Sequence, residues 1–379
     1  MPERKNQHYV PQHYLRAWAA NGQLNIFHLE SGGIFSEGTD SVCARNYFYG
    51  NPPVVEEELA NLEGYHARPL NGLRQGDNLP DFSDQYVQLL LSFVTTQRTR
   101  TKATKEDIRD GDDFIRDAVR EDLEADRYED RITWKSDLTE DEKEDALVDA
   151  SLLGTHHYLI SLGIFGYIGI SDLEGIMLRN VTDREFIVSD VPVVHDIPQY
   201  SREQGIVPAG LANRGLQIFC PIDRNRILLL YDPEVYRFDA NSRKQVLIKS
   251  PDVVDELNLL QFHNAESIVM FDSSSEDYIR GLHVRIDEVR RREEITVPLE
   301  VESGKKEVVN KVPAYQVPKL SPSLPGCTTM AHLPYAKQRP NCRSTEAQNL
   351  ARRTFNETGT PDLGLITSIR VLEELLDLS

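Results

Sequence analysis

The chain has 379 residues, 40% of them hydrophobic and 27% charged, ordinary values for a soluble globular protein and enough length for two domains or one large one. Its 42 basic residues against 61 acidic ones give a formal charge of -19, which argues against broad binding to a polyanion while leaving room for a small basic cleft. The four cysteines, Cys43, Cys220, Cys327 and Cys342, form no C-x-x-C pair, so neither a zinc ribbon nor a disulfide framework is expected, and reduced thiols in a cytoplasmic protein fit best.

The N-terminal segment has no apolar core, so no signal peptide is expected. It carries instead the dense run Asn6-Gln7-His8-Tyr9-Val10-Pro11-Gln12-His13-Tyr14-Leu15-Arg16. Pro11 suits the first turn of a helix. Leu15 and Trp18 follow at helical spacing, and Gly22 marks its end. Gln23 to Glu30 reads as a strand, turned back by Ser31-Gly32-Gly33. Pro52-Pro53 opens a helix with an acidic first turn and a stripe of Val55, Leu59 and Leu62. Ser83 or Asp84 caps the next helix, whose stripe runs Tyr86, Leu90, Phe93, Gln97, Arg100.

Residues 105–150 are acidic, with Phe114, Ile115, Val119 and Leu123 as their apolar helical set. Thr139-Glu140-Asp141-Glu142 matches a capping box. The long helix it begins becomes apolar through Leu152 to Ile170, where His156 and His157 favour a buried helix over a membrane span. After Gly175 short strands take over. Ile176-Met177-Leu178 and Phe186-Ile187-Val188 flank one turn, and Gln217 to Ile222 and Arg226 to Tyr231 flank another. Ser267 to Met270 reads as a buried strand, and Asp252 to Phe262 and Ser274 to Glu294 as helices.

These elements predict an α+β fold: a mostly helical N-terminal half with a small β-hairpin, followed by a mixed or antiparallel sheet with helices. Residues 1–295 read as a single α+β domain with a sub-boundary near 170–175. Residues 296–343, where prolines recur, read as a linker or extended arm, and 344–379 as a C-terminal segment with a terminal helix.

No P-loop, dinucleotide fingerprint, H-E-x-x-H or nucleophile elbow is present, and no metal site or cofactor is read from the sequence. The chemistry must come from single residues. Gln97 and Arg100 continue an apolar face, where polar groups need partners or a substrate. Alternatively the helix emerges into solvent there, as Lys102 and Lys105 suggest. His8 is the residue best suited to proton exchange, with Gln12 in the first turn beyond Pro11. Asp190 ends a strand, where sites and turn caps both occur. His8, Gln12, Gln97, Arg100 and Asp190 form the candidate catalytic set. Lys5, Tyr14 and Arg98 are the candidate substrate-binding residues. Glu57 and Glu63 read as solvated surface.

His8-Tyr9-Val10-Pro11-Gln12 with Tyr14-Leu15, Gln97-x-x-Arg100, and Phe186-Ile187-Val188-Ser189-Asp190-x-Pro192 resemble the bacterial family called domain of unknown function 4238. Pro221 and Asn258 are also similar, and the likeness spans roughly residues 5–270. Members often carry a tryptophan in the strands before the Ser-Asp-x-Pro motif, where this chain reads Gly175-Ile176-Met177-Leu178. The resemblance implies no activity.

Two functions stay open. One is a hydrolase or nuclease-like effector on a phosphodiester or other anionic substrate, in bacterial defence or as a toxin. His8 would be its general acid or base and Arg98 or Arg100 its phosphate grip, with a nucleic acid or nucleotide in a basic cleft. The other is a non-enzymatic sensor or adaptor, in which the same cluster is a structural network and partners dock on the acidic 105–150 segment or the C-terminal helix.

Overall fold

The computed structural model describes residues 5–110, 112–125, 138–199, 210–287, 291–299, 308–316, 323–333, 342–343, 345–350 and 364–378. Strand β1 (Asn6–His8) leads into a one-turn helix α1 (Gln12–Leu15) and a 3-10 turn (Arg16–Trp18). The predicted hairpin follows as β2 (Gln23–His28) and β3 (Ile34–Gly38), and β4 (Ala44–Asn46) returns to pair antiparallel with β1, His8 opposite Ala44.

Helix α2 (Val54–Gln75) starts where Pro53 caps it, and α3 (Asp84–Thr99) where the Ser83 hydroxyl accepts from the Tyr86 N–H. Nine consecutive residues of α3, Leu89 to Gln97, are buried, so this helix is enclosed on all sides. It lies between α2 and the long α6 (Glu140–Phe165), which opens with the predicted capping box at Thr139 and Glu142. Close approach of α3 and α6 needs Gly163. A Cβ there would stand 2.2 Å from the Thr99 hydroxyl and 3.0 Å from the Thr95 carbonyl. Helices α4 (Lys102–Arg109) and α5 (Asp112–Glu124) carry the acidic segment along α6, where Arg116 and Arg120 pair with Glu144.

Two sheets complete the fold. One is five-stranded, in the order β11 (Gln245–Ile248), β5 (Glu174–Asn180), β9 (Arg226–Tyr231), β8 (Gln217–Asp223), β7 (Val194–Asp196). Only its β11–β5 pair is parallel. The other is antiparallel, in the order β3, β2, β12 (Ile268–Phe271), β6 (Val188–Ser189). The first 180s turn is therefore not a hairpin. Strand β5 stays in the five-stranded sheet. The Phe186–Ser189 stretch is drawn to the edge of the other sheet by α7 (Pro251–Asn264), whose Asn258 and Gln261 side chains bond the Ile187 and Ser189 backbone N–H groups. One apolar cluster runs from Tyr9 through Leu90 and Leu228 to Leu376, so the change from helices to sheet near residue 170 does not divide the core.

Helix α8 (Glu276–Asp287) is followed by strand at residues 291–294, where the sequence suggests continued helix. The stretch beyond is not a plain linker. It forms the hairpin β13 (Arg291–Leu299) and β14 (Val308–Gln316), and β15 (Cys327–Thr329) pairs with β10 (Tyr236–Phe238). Prolines 298 and 313 masked the alternation of Ile295, Val297 and Leu299. Residues 300–307, 317–322 and 334–341 lie outside the described residues. Arg343 inserts its side chain into the core, on both Asp172 carboxylate oxygens and the Gly169, Leu211 and Asn213 carbonyls. The terminal helix α9 (Leu365–Leu375) docks back on α2 and α6 through Leu365, Ile369 and Leu372, so its apolar face is taken. Among the described residues no helix is long and apolar enough to cross a membrane.

Candidate functional site

Arg100 stands at the centre of the N-terminal polar cluster. It caps the C-terminus of α3 and is 2% exposed. Its guanidinium donates to the His8 carbonyl at 2.7 Å and to the Tyr49 hydroxyl at 3.1 Å, and meets the Glu63 carboxylate at 2.8 Å. The Tyr49 hydroxyl shares its own hydrogen between the His8 and Arg100 carbonyls. One turn earlier, Gln97 donates to the Tyr9 carbonyl at 3.0 Å. Gln7 accepts from the Tyr49 N–H and donates to the Gly50 carbonyl. Burial alone would lower the Arg100 pKa, but Tyr49 and Glu63 more than offset it, so the cation is firmly held.

The helix that carries Gln97 and Arg100 thus does not emerge into solvent at that point. Arg98 points away from the cluster, because residues two apart on a helix point roughly 200° away from each other: the residue is exposed overall, while partial enclosure of its guanidinium lowers its pKa to about 10. Arg98 and Arg100 therefore cannot share one phosphate. Arg100, with these donors committed to the protein's own backbone and to Glu63, is not placed as a phosphate grip.

The accessible edge of the cluster is a rim of titratable groups. His8 and Gln12 are half-buried. The His8 Nε2 bonds the Thr39 carbonyl at 3.3 Å, and a carbonyl only accepts, so Nε2 carries the hydrogen and Nδ1 is the basic nitrogen. Burial lowers the His8 pKa below 6.5, against the raising pull of Thr39 and Glu63. The His13 Nδ1 lies 3.9 Å from the Glu63 carboxylate. Burial, then Arg74, Arg100 and Arg16, push the His13 pKa down to about 3, so it is a neutral neighbour of Glu63 rather than an ion-pair partner. Gln12 reaches the Thr39 hydroxyl at 3.4 Å and accepts from Arg16 at 2.9 Å. Helix α1, which begins just after Pro11, has a single turn, too short to present an anion-binding terminus.

Asp190 belongs elsewhere. Its carboxylate accepts from the Glu266 and Ser267 N–H groups, both at 2.9 Å, and closes the loop into β12. Burial raises its pKa to about 6, with those two N–H groups opposing. Tyr14 is also out of reach of a substrate. It is fully buried against Trp18 and Phe93, and its hydroxyl donates to the Pro221 carbonyl. Lys5 is exposed, and its carbonyl accepts from the Tyr47 N–H.

Of the eight residues singled out in the sequence, the structure gathers His8, Gln12, Gln97 and Arg100. Glu63, His13 and Tyr49 went unselected. For Glu63 a signal existed: it stands four residues after Leu59 and three before His66, both buried, so it lies on the inner stripe of α2 and not on solvated surface. Among the described residues no group of three or more His, Cys, Asp or Glu side chains is placed to hold a metal ion.

The class these features define is an α+β protein whose N-terminal strand is bolted to a buried helix by an arginine-centred network with a histidine rim. The chain belongs to the family described as protein of unknown function (DUF4238), which matches residues 6–275. No curated protein and no solved structure matches it.

Proposed function

We propose that the rim formed by His8, Glu63 and His13 is an acid–base centre, and that the protein is a hydrolase acting on a phosphodiester or similar anionic substrate. The observation that carries this is a neutral imidazole, His13, 3.9 Å from a carboxylate that a buried arginine anchors, with the half-buried His8 ring within the field of the same carboxylate. In this reading His8 takes a proton through Nδ1, since a neutral imidazole at neutral pH is a base ready to accept. Glu63, held by Arg100, stabilises the imidazolium that forms. Gln12 orients substrate or water from the rim. Arg100 positions Glu63 and the His8 backbone and does not touch the substrate. A cytoplasmic effector role in bacterial defence or as a toxin is compatible with this chemistry and is part of the proposal.

Turnover of a panel of phosphodiesters, single-stranded RNA and DNA included, tests it. His8→Ala is expected to lower kcat by about 10²–10⁴ with an unchanged melting temperature. Absence of turnover on every phosphodiester, or equal turnover by the variant, overturns it.

One observation favours a second reading, a non-enzymatic adaptor: Gln7, Gln97 and Arg100 spend their donors on the backbone of residues 8–9 and 49–50. If that is their whole role, Arg100→Ala lowers the melting temperature by many degrees and His8→Ala changes no activity.

A further inference from the structure

On the far side of the β4 strand lies a pocket of about 310 Å³, at the lower end of the range for small-molecule sites, about 300–1,000 Å³. Three elements build it. Strand β4 and the turn after it supply Arg45 and Tyr47. Helix α4 supplies Lys105, Glu106 and Arg109 from one face. Helix α6 supplies Asp149, Leu152 and Leu153 at spacings of three and four.

The charges in this pocket run against those of the whole chain. Three cations face two carboxylates inside a protein of formal charge -19. Lys105 is the most constrained: its ammonium donates to the Phe48 carbonyl and sits 4.5 Å over the Phe48 ring. Burial lowers its pKa, and Arg109 and Arg45 lower it further, against the raising pull of Glu106 and Asp149, so the two carboxylates only partly offset the crowding of three cations. Glu106 lies between Arg45 and Arg109 at 3.8 Å from each. Pairs that long, at exposed side chains, hold weakly and yield to a better anion. Tyr47 is presented from a left-handed backbone, φ 53°, an arrangement a tyrosine rarely adopts.

We propose that this pocket binds a mononucleotide. Arg45, Lys105 and Arg109 take its phosphate, and Tyr47, Leu152 and Leu153 form the apolar bed for its base. Glu106 and Asp149 accept from its hydroxyl or amino groups. An inorganic anion leaves the apolar wall unused, and a bare nucleoside brings no anion to the three cations, so the proposed ligand carries both parts. The pocket is separate from the histidine rim: Arg45 stands opposite Gln7, whose side chain is turned into the buried network. The proposal stands whether or not His8 is catalytic.

Calorimetric titration of the full chain with adenosine 5′-monophosphate, adenosine and inorganic phosphate is the test. Saturable binding of the monophosphate is expected, about tenfold or more weaker for adenosine and for phosphate. Arg109→Glu, at a site 62% exposed where folding is not at stake, is expected to weaken it at least as much, and Lys105→Met likewise. His8→Ala is expected to bind as the parent does, which separates this outcome from the fate of the acid–base centre. No saturable binding by the parent, equal affinity for phosphate alone, or unchanged affinity in Arg109→Glu overturns the proposal.

Discussion

Acidification should destabilise this fold through three buried imidazoles. His13, His66 and His156 each have their pKa pushed from 6.5 down to about 3, in every case first by burial. The folded pKa lies below the unfolded one, so the unfolded chain binds protons first as pH falls. Stability from these groups is therefore fully present above about pH 6.5 and is lost progressively down to about pH 3. At about pH 5 the unfolded imidazole is about 1.5 units below its midpoint while the folded one is still neutral. That is about 2 kcal/mol per histidine, or about 6 kcal/mol for the three. Asp190 works in the opposite sense. Burial raises its pKa from 3.8 to about 6, so the folded chain takes its proton first and recovers about 1 kcal/mol between about pH 7 and 5. The net loss of about 5 kcal/mol is comparable to the whole stability of many domains, about 5–15 kcal/mol. Urea unfolding followed by circular dichroism from about pH 7.5 to about pH 5, at constant ionic strength, measures it. A net uptake of about two protons on unfolding is expected near pH 5. His66→Asn, which replaces an imidazole bonded to the Ser92 hydroxyl, should reduce that uptake by about one. A flat stability profile over this range, or an unchanged slope in the variant, would refute the assignment of these histidines as buried and neutral.

Substitutions at four other positions probe the framework. Arg100→Ala removes the arginine that anchors the Glu63 carboxylate and the stronger of the two donors to the His8 carbonyl, and should cost about 3–5 kcal/mol in chemical unfolding; Arg100→Lys should not restore it, because one ammonium cannot span Tyr49, His8 and Glu63 together. Tyr49→Phe removes one hydroxyl serving three partners and should cost about 1–3 kcal/mol by the same measurement. Gly163→Ala drives a methyl into the Thr95 and Thr99 contacts of α3 and should cost about 1–3 kcal/mol. Arg343→Ala removes five hydrogen bonds, to Asp172 and to the Gly169, Leu211 and Asn213 carbonyls, of which Thr345 and Gln348 cover only Asp172 and Gly169, so the arm around it should become sensitive to limited proteolysis while α2 and α3 stay protected.

What the sequence makes legible is periodic or local. The capping box at Thr139, the cap at Ser83, the turn between β8 and β9 and the first hairpin all depend on residues a few positions apart, and all occur where expected. The Gln97 and Arg100 burial is legible too, because both extend an apolar stripe. Pairings over long separations are not. Nothing local to residues 176–188 says that two amides on α7, some seventy residues later, pull the Phe186 stretch into a different sheet from β5. Nothing in a proline-rich tail says that Arg343 will be among the most buried side chains of the molecule. Glu63 illustrates the intermediate case: its stripe position was visible, but its partner lies on another helix, and acidic residues are too many in this chain for charge alone to select one.

The residues that carry the family resemblance mostly bond to one another or to each other's backbone. Tyr14 meets Pro221, Gln97 meets Tyr9, Arg100 meets His8, and Asn258 meets Ile187. These contacts link the N-terminal strand, the buried helix and both sheets, so a sequence that keeps them keeps the relative placement of those elements whatever it does with a substrate. A catalytic group differs in one physical respect: it must hold an unspent valence facing a space that a ligand can enter. Arg100, Gln97, Tyr14 and Asp190 are spent on the protein itself. Of the original candidates His8 is the one with a basic nitrogen not used by its backbone bond to Thr39 and with part of its surface exposed. If the chain has acid–base chemistry at this end, it therefore runs through the His8 ring and the Glu63 carboxylate held by Arg100. The deeper part of the cluster acts only by fixing where those two stand, and its variants should alter stability before they alter any intrinsic step.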